Sequence, residues 1–313
     1  MDMRTLGPNG PEISVVGFGA WEAGGTEWGS NEPEERIIEA MHAGIDAGMN
    51  WIDTAEVYGP HRSEEIVGRA VAGCPDDVSV FTKVAPKDAG SGFAPEQVGG
   101  AIRRSLSRLG LDHVDLYQLH WHDETGVPIE DTWGAMAEVQ DEGLVRHIGV
   151  SNFDRELIER CLAIRQVDSV QMEFSLLVQD DRAELLPWLA EHGIAYLAYS
   201  PLGAGILTGA LAPDHVFPDD DWRSGKLWDD EQPELFRPGA FQENVAKAER
   251  LRPIAERLGT TPAALALRWV VEAAPTVVAI AGSRDPDHAR SNARAGVLTL
   301  DAATLAEIGA IFR

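Results

Sequence analysis

Eight short apolar runs recur along the chain, each ending in polar or glycine residues, with stretches of helical period between them. The runs are Val15 to Phe18, Asn50 to Ile52, Val78 to Phe81, Val114 to Tyr117, Val145 to Val150, Val167 to Met172, Ala195 to Ala198 and Val277 to Ile280. The intervening stretches predict helices over Glu34 to Ala47, Ser63 to Ala72, Pro95 to Leu109, Ile129 to Glu142, Arg155 to Ile164, Arg182 to His192, Gln242 to Leu258 and Pro262 to Ala273. Proline just inside the start of the last of these fits a first helical turn. Short β-branched runs separated by helices signal parallel βαβ units. Eight such units in 313 residues suit a closed barrel better than an open doubly wound sheet.

Two segments stand outside the alternation. Residues 4–14 carry Pro8-Asn9-Gly10 as a turn signal between short extended pieces, which predicts an N-terminal hairpin able to plug the barrel bottom. Residues 203–240 form a long irregular stretch rich in glycine, proline, aspartate and aromatics, and a loop of that length is usually functional. The expectation is therefore one (β/α)8 TIM-barrel domain spanning residues 1–313, with an N-terminal β-hairpin and a long loop after the seventh barrel strand.

Composition narrows the function classes. With 44% hydrophobic and 25% charged residues the chain reads as an ordinary water-soluble protein. It has no apolar run approaching the ~18 residues of a membrane span and no apolar leader in its first ten residues, so a cytoplasmic location is expected. A net charge of -25 argues against a nucleic-acid partner and against docking on anionic lipid. Cys74 and Cys161 have neither paired nor metal-type spacing and read as reduced thiols. Only four lysines occur, Lys83, Lys87, Lys226 and Lys247. A lysine in so arginine-rich a basic set is more apt to be present for its own titratable amine.

In such a barrel the chemistry gathers where strands meet the loops at their C-terminal ends. The residues there are Gly19-Ala20-Trp21, Asp53 with Tyr58 five positions on, Lys83, His120-Trp121, Ser151-Asn152, Gln171-Met172-Glu173, Tyr199-Ser200-Pro201-Leu202 and Gly282-Ser283-Arg284. Lys83 and Asp53 sit inside apolar strands, where an unpaired charge is costly, and each is the other's obvious partner. A lone Asp–Lys pair in a barrel is more often structural, and a lone histidine at a strand end more often a satisfied hydrogen-bonder. Asp, Tyr, Lys and His at neighbouring strand ends are a different matter. A tyrosine titrates near ~10 and a cation beside it lowers that by ~1–3 units, so Tyr58 next to Lys83 is expected to give up a proton near neutral pH. Asp53 would hold Lys83 charged, and His120 would orient a carbonyl. If a nicotinamide supplied hydride, no metal would be needed.

The same segments carry a resemblance. Gly17-Phe-Gly-Ala-Trp21, Trp51-Ile-Asp-Thr-Ala-Glu-Val-Tyr58-Gly, Arg62-Ser-Glu-Glu65, Phe81-Thr-Lys83, Ser105 to Leu109, Asp112 to Trp121, Ile148 to Phe153, Gln171-Met-Glu173 and Tyr199-Ser-Pro-Leu202 occur in the order and spacing of the aldo-keto reductase superfamily. The resemblance covers essentially the whole chain and runs most closely to the bacterial NADP-dependent reductases of the inositol-catabolism type. It implies a catalytic tetrad of Asp53, Tyr58, Lys83 and His120. It implies that Ser151, Asn152 and Gln171 hold the nicotinamide carboxamide and that Tyr199 stacks on its ring. Ser200, Leu202, Gly203 and Gly205 would cradle the pyrophosphate, and Gly282, Ser283, Arg284, His288 and Asn292 would meet the adenosine end. Where the family's terminal segment often has Gln and then Glu-Asn, this chain has His288 and then Ser291-Asn292. The cofactor so implied is NADPH, with NADH possible, and the substrate a small-molecule aldehyde, ketone or sugar carbonyl. Trp21, counted with both the cofactor and the substrate, would line the mouth with Trp28 and Trp121, and Phe217, Trp222, Trp228 and Phe236 come from the long loop.

Three rivals are weaker. His120-Trp-His122-Asp123 has the His-x-His spacing of metal-dependent hydrolase barrels, but later strands end in Ser-Asn and Gln-Met-Glu, so the ligand count falls short. A dinucleotide-binding sheet would need Gly-x-Gly-x-x-Gly after the first strand, where Gly17-Phe-Gly19 continues instead with Ala-Trp-Glu22. The resembling family also contains an NADP-binding regulatory subunit with slow turnover, a role requiring an exposed partner surface.

Overall fold

In the computed structural model, which describes residues 1–29, 32–72, 74, 78–86, 93–122, 126–227 and 232–313, the eight apolar runs are the eight staves of a closed parallel barrel. Lys87, Asp123 and Trp228 lie outside the described residues. An antiparallel hairpin comes first, β1 (Met3–Thr5) and β2 (Glu12–Ser14). The barrel strands follow as β3 (Val16–Gly19), β4 (Trp51–Asp53), β5 (Ser79–Val84), β6 (Val114–Leu119), β7 (Val145–Ser151), β8 (Ser169–Glu173), β9 (Ala195–Tyr199) and β10 (Val277–Gly282). Each pairs with the next, and β10 closes the ring on β3 through Ala279 opposite Val16 and Gly282 opposite Gly19.

The period of two along a strand separates two apolar layers. Trp51, Phe81, Leu116, Ala195, Leu197, Val278 and Ile280 form one cluster inside the barrel. Their neighbours Ile52, Val80, Tyr117, Tyr196, Ala198, Val277 and Ala279 belong to the second cluster, between barrel and helices. Trp51 and Phe81 stack at 5.0 Å, and a Cβ built on Gly17 would meet the Trp51 ring at 2.1 Å, so only glycine fits there. Leu6 and Ile13 of the hairpin region join the inner cluster fully buried, and Trp51 Nε1 donates to the Ser14 carbonyl at 2.8 Å. The hairpin thus plugs the bottom as expected. Leu6→Ala should cost about 2–5 kcal/mol, as for a large-to-small core substitution, read by urea denaturation. A loss under ~1 kcal/mol would show that the plug is not tightly packed.

Helices α1 (Glu34–Asp46), α2 (Arg62–Val71), α3 (Pro95–Leu109), α4 (Ile129–Asp141), α5 (Arg155–Leu162) and α6 (Leu185–Glu191) lie close to their predicted bounds. The long helix expected over Gln242 to Leu258 is instead α7 (Ala240–Glu249) and α8 (Arg252–Arg257). Pro253 lacks the N–H that would bond one turn back, and the helix breaks before it. After α9 (Pro262–Val271) come two helices that the alternation alone did not predict, α10 (Pro286–Ala293) and α11 (Ala302–Ile311). Both carry a start signal: Asp285 accepts from the backbone N–H groups of Asp287 and His288, and Asp301 from that of Thr304. No helix among the described residues is long and apolar enough to cross a membrane.

The stretch after β9 is irregular apart from short 3₁₀ turns, and it is clipped across the barrel mouth. Trp28 bridges Asp221, the Trp222 N–H donates to the Glu27 carbonyl at 2.9 Å, and that of Gly29 to Asp220 at 3.3 Å. The loops after β3 and β9 therefore hold one another above the open end.

Candidate active site

The strand parity that fills the barrel with Trp51, Phe81 and Leu116 carries two residues further to Asp53, Lys83 and Gln118, and from Gln118 to His120. Asp53, Lys83, Gln118 and His120 are all buried, and Lys83 has no exposure at all. The Lys83 ammonium donates to Asp53 Oδ1 at 2.5 Å, to the Thr54 carbonyl at 2.9 Å and to Tyr58 Oη at 3.3 Å. Asp53 Oδ2 in turn accepts from Gln171 Nε2 at 3.0 Å and Gln118 Nε2 at 3.3 Å. A buried ion pair survives only when its remaining donors and acceptors are satisfied, and here both partners are.

Tyr58 reaches this pair from the loop after β4. Gly59, in the left-handed region at φ 57°, lets that loop press against the loop after β3; a Cβ there would meet the Gly24 carbonyl oxygen at 2.1 Å. The Tyr58 residue is only partly buried, and its ring stands 5.6 Å from that of His120, edge to face. Trp121 stacks on His120 at 3.9 Å and is itself exposed.

The protonation states differ from the sequence expectation at one point. Lys83 was expected to lower the Tyr58 phenol, but burial, reinforced by the carboxylates of Asp53 and Glu27, pushes it well above the ordinary tyrosine range. Tyr58 is thus a neutral phenol at pH 7. Burial also lowers Lys83, with Asp53 opposing, and holds His120 well below the usual histidine range, with Lys83 adding to the effect. His120 Nδ1 is buried without a hydrogen-bond partner among the described residues.

The other predicted residues fall around the same rim. Ser151 Oγ donates to the Gln171 carbonyl at 2.9 Å. Asn152 Nδ2 donates to the His120 carbonyl and to Ser151 Oγ, each at 3.1 Å, and Asn152 Oδ1 accepts from the Tyr199 hydroxyl at 2.9 Å. Beyond β9 the chain turns sharply, with Ser200, Gly203, Ala204 and Gly205 all at positive φ, and the Gly203 N–H returns to the Ser200 carbonyl at 2.8 Å. Serine and alanine in that region are strained, which marks a turn fixed by its surroundings. Leu202 packs beside the core.

After β10, which ends at Gly282, Ser283 Oγ donates to the Asp285 carbonyl at 2.9 Å, Asn292 is buried and His288 is exposed. Arg284 lies 3.4 Å from the Glu22 carboxylate and donates to the Trp28 carbonyl at 3.4 Å. Trp21, Trp28 and Trp222 form an aromatic wall with centroids 4.9–5.7 Å apart. The buried indole N–H of Trp28 has no hydrogen-bond partner among the described residues.

Four participants were not singled out from sequence: Gln118, Glu22, Glu27 and Arg223. Gln118 had a signal, since it shares the inward parity two residues before His120. Arg223 pairs with Asp221 at 2.6 Å, donates to the Ala204 carbonyl at 3.0 Å and lies over the Trp28 ring at 5.0 Å. Only the folded loop brings those groups together. Among the described residues no group of His, Cys, Asp and Glu is arranged to hold a metal ion, and Asp123 of the His-x-His-Asp segment is outside them.

A parallel (β/α)8 barrel with a buried Lys–Asp pair, a tyrosine and a histidine at its C-terminal mouth has the architecture of a barrel enzyme with its chemistry on the rim. The chain belongs to the aldo/keto reductase family, whose model matches residues 15–313. It is 34% identical over 293 residues to the aldo-keto reductase YhdN of Bacillus subtilis, covering 91% of this chain and 86% of that one. It is 29% identical over 308 residues to the NADH-specific methylglyoxal reductase of Escherichia coli, covering 93% and 92%. The structure of the glycerol dehydrogenase AKR11B4 from Gluconobacter oxydans superposes with a TM-score of 0.86 at 29% identity, covering 99% of this chain and 94% of that one.

Proposed function

We propose that this protein is a nicotinamide-dependent reductase of aldehydes, ketones or sugar carbonyls, acting in the cytoplasm, with Tyr58 as proton donor. The observation that carries the reading is the use of the Lys83 ammonium. It spends one N–H on Asp53, one on Thr54 and one on the lone pair of Tyr58 Oη, so the phenol's own proton is left to face a substrate. As charge develops on a carbonyl oxygen, Tyr58 delivers that proton, and the neighbouring ammonium stabilises the phenolate left behind. His120, kept neutral, is a hydrogen-bond partner that orients the carbonyl. Gln118 and Gln171 fix Asp53 and so aim Lys83. The same groups run in reverse for alcohol oxidation, the direction named for the Gluconobacter protein.

A nicotinamide cofactor fits the rim. The strained turn from Ser200 to Gly205 offers backbone with little side-chain bulk, Tyr199 offers a partly exposed ring beside Asn152, and Arg284 offers a guanidinium. When bound, the nicotinamide supplies the hydride. We assign NADPH as the preferred cofactor, held by Ser151, Asn152, Gln171, Tyr199 and the turn, with Arg284 on the 2′-phosphate and NADH also accepted. The name of the Escherichia coli relative shows that this family includes an NADH-specific member.

Arg284→Ala should then weaken NADPH by roughly ten- to a hundredfold, the ~1.5–3 kcal/mol of a hydrogen bond to a charged group, while NADH responds little. Fluorescence titration of both cofactors reads this directly. Equal weakening of both, or a wild type that binds NADH as tightly as NADPH, would refute the role. The Glu22 carboxylate beside Arg284 lessens the net positive charge there, which limits the preference.

A further inference from the structure

Glu27 brings a further carboxylate to the site, and among the described residues no cation pairs with it. It lies partly buried in the loop after β3, and its Oε2 accepts the Trp21 indole proton at 2.6 Å. The Trp21 ring is 6.2 Å from that of Tyr58, so one tryptophan separates this carboxylate from the proton donor. The backbone is held in place because the Glu27 carbonyl accepts from Trp222 and the neighbouring Trp28 bridges Asp221. Among the described residues no lysine or arginine forms an ion pair with Glu27. The site's cations are committed elsewhere, Lys83 to Asp53, Arg223 to Asp221 and Arg284 to Glu22. The charge reaches the chemistry: after burial and Asp53, Glu27 is the remaining group that holds the Tyr58 phenol up.

We infer that Glu27 is a specificity-determining residue of the carbonyl site, selecting against substrates that carry a negative charge near the reacting carbonyl and in favour of neutral, hydroxyl-bearing or cationic ones. The inference rests on the reductase reading above. Burial raises the Glu27 carboxyl above the ordinary range while the Trp21 N–H opposes the rise, and in its ionised form it meets a substrate anion entering the mouth as a like charge. A hydroxyl-bearing substrate meets an acceptor instead, since only Oε2 of Glu27 is engaged by a described residue. The class favoured is that of small hydroxyaldehydes, hydroxyketones and sugars over keto acids and aldehyde acids.

Glu27→Gln tests this, because glutamine keeps an oxygen for the Trp21 N–H and removes only the charge. The probes are para-carboxybenzaldehyde and para-carbamoylbenzaldehyde, alike in shape and different in charge. Wild type should favour the amide in kcat/KM, and the preference should shrink by about 5- to 10-fold in the variant, the scale of a like-charge contact across the mouth. Added sodium chloride should narrow the wild-type preference and leave that of the variant nearly flat, a response that a purely structural role would not give. Turnover of both aldehydes with the same ratio in wild type and variant overturns the assignment alone. Turnover of neither by the wild type overturns the reductase reading and the assignment with it.

Discussion

Tyr58→Phe is expected to cut carbonyl reduction by roughly 10²-fold or more, the range general acids contribute. The substitution keeps the ring, with its edge-to-face contact to His120 and its tilted contact to Trp21, and removes one oxygen. Cofactor affinity should hardly change, because the hydroxyl is bonded to Lys83 and not to the residues assigned to the cofactor. Burial and two carboxylates already keep the phenol protonated at neutral pH, so the variant removes a proton that is present. Steady-state kcat with a neutral aldehyde, beside a cofactor titration, checks both halves. Turnover near that of the wild type would mean that the proton comes from elsewhere.

Lys83→Met should be more damaging, because it fails in two ways. Activity near neutral pH should vanish, since the phenolate left by proton transfer would face Asp53 with no cation between them. Stability should fall by ~3–5 kcal/mol, the usual cost of removing one partner of a buried ion pair. Asp53 would keep two glutamine amides and lose its counter-charge. Urea denaturation at neutral pH measures the loss. A variant both stable and active would refute the pairing.

Much of this site was legible because a barrel strand has a period of two and a polar C-terminal end. Once Trp51 and Phe81 are inside, Asp53 and Lys83 must be inside with them, and two buried opposite charges on adjacent strands have few other partners. What escaped depends on contacts distant in sequence. Arg223 meets Ala204 and Trp28 only after the loop beyond β9 has folded over the loop beyond β3. Glu22 turned up beside Arg284 for the same reason, since β10 closes the barrel on β3. The sign of the Tyr58 shift was missed because it is a balance. The nearby cation was visible in the sequence, but the depth of burial that outweighs it belongs to the packed mouth. The break between α7 and α8 was readable at Pro253, and the hydrophobic period on either side of it masked the signal.

The most direct measurement is an initial-rate assay of the purified protein against neutral aldehydes, ketones and sugars, with NADPH and with NADH, following nicotinamide absorbance and the alcohol product together. One alcohol should form per reduced nicotinamide consumed, with NADPH the better donor and the activity lost in Tyr58→Phe. A folded protein that binds the cofactor and reduces none of these carbonyls, or one that reduces them as well without the Tyr58 hydroxyl, would contradict the proposed function.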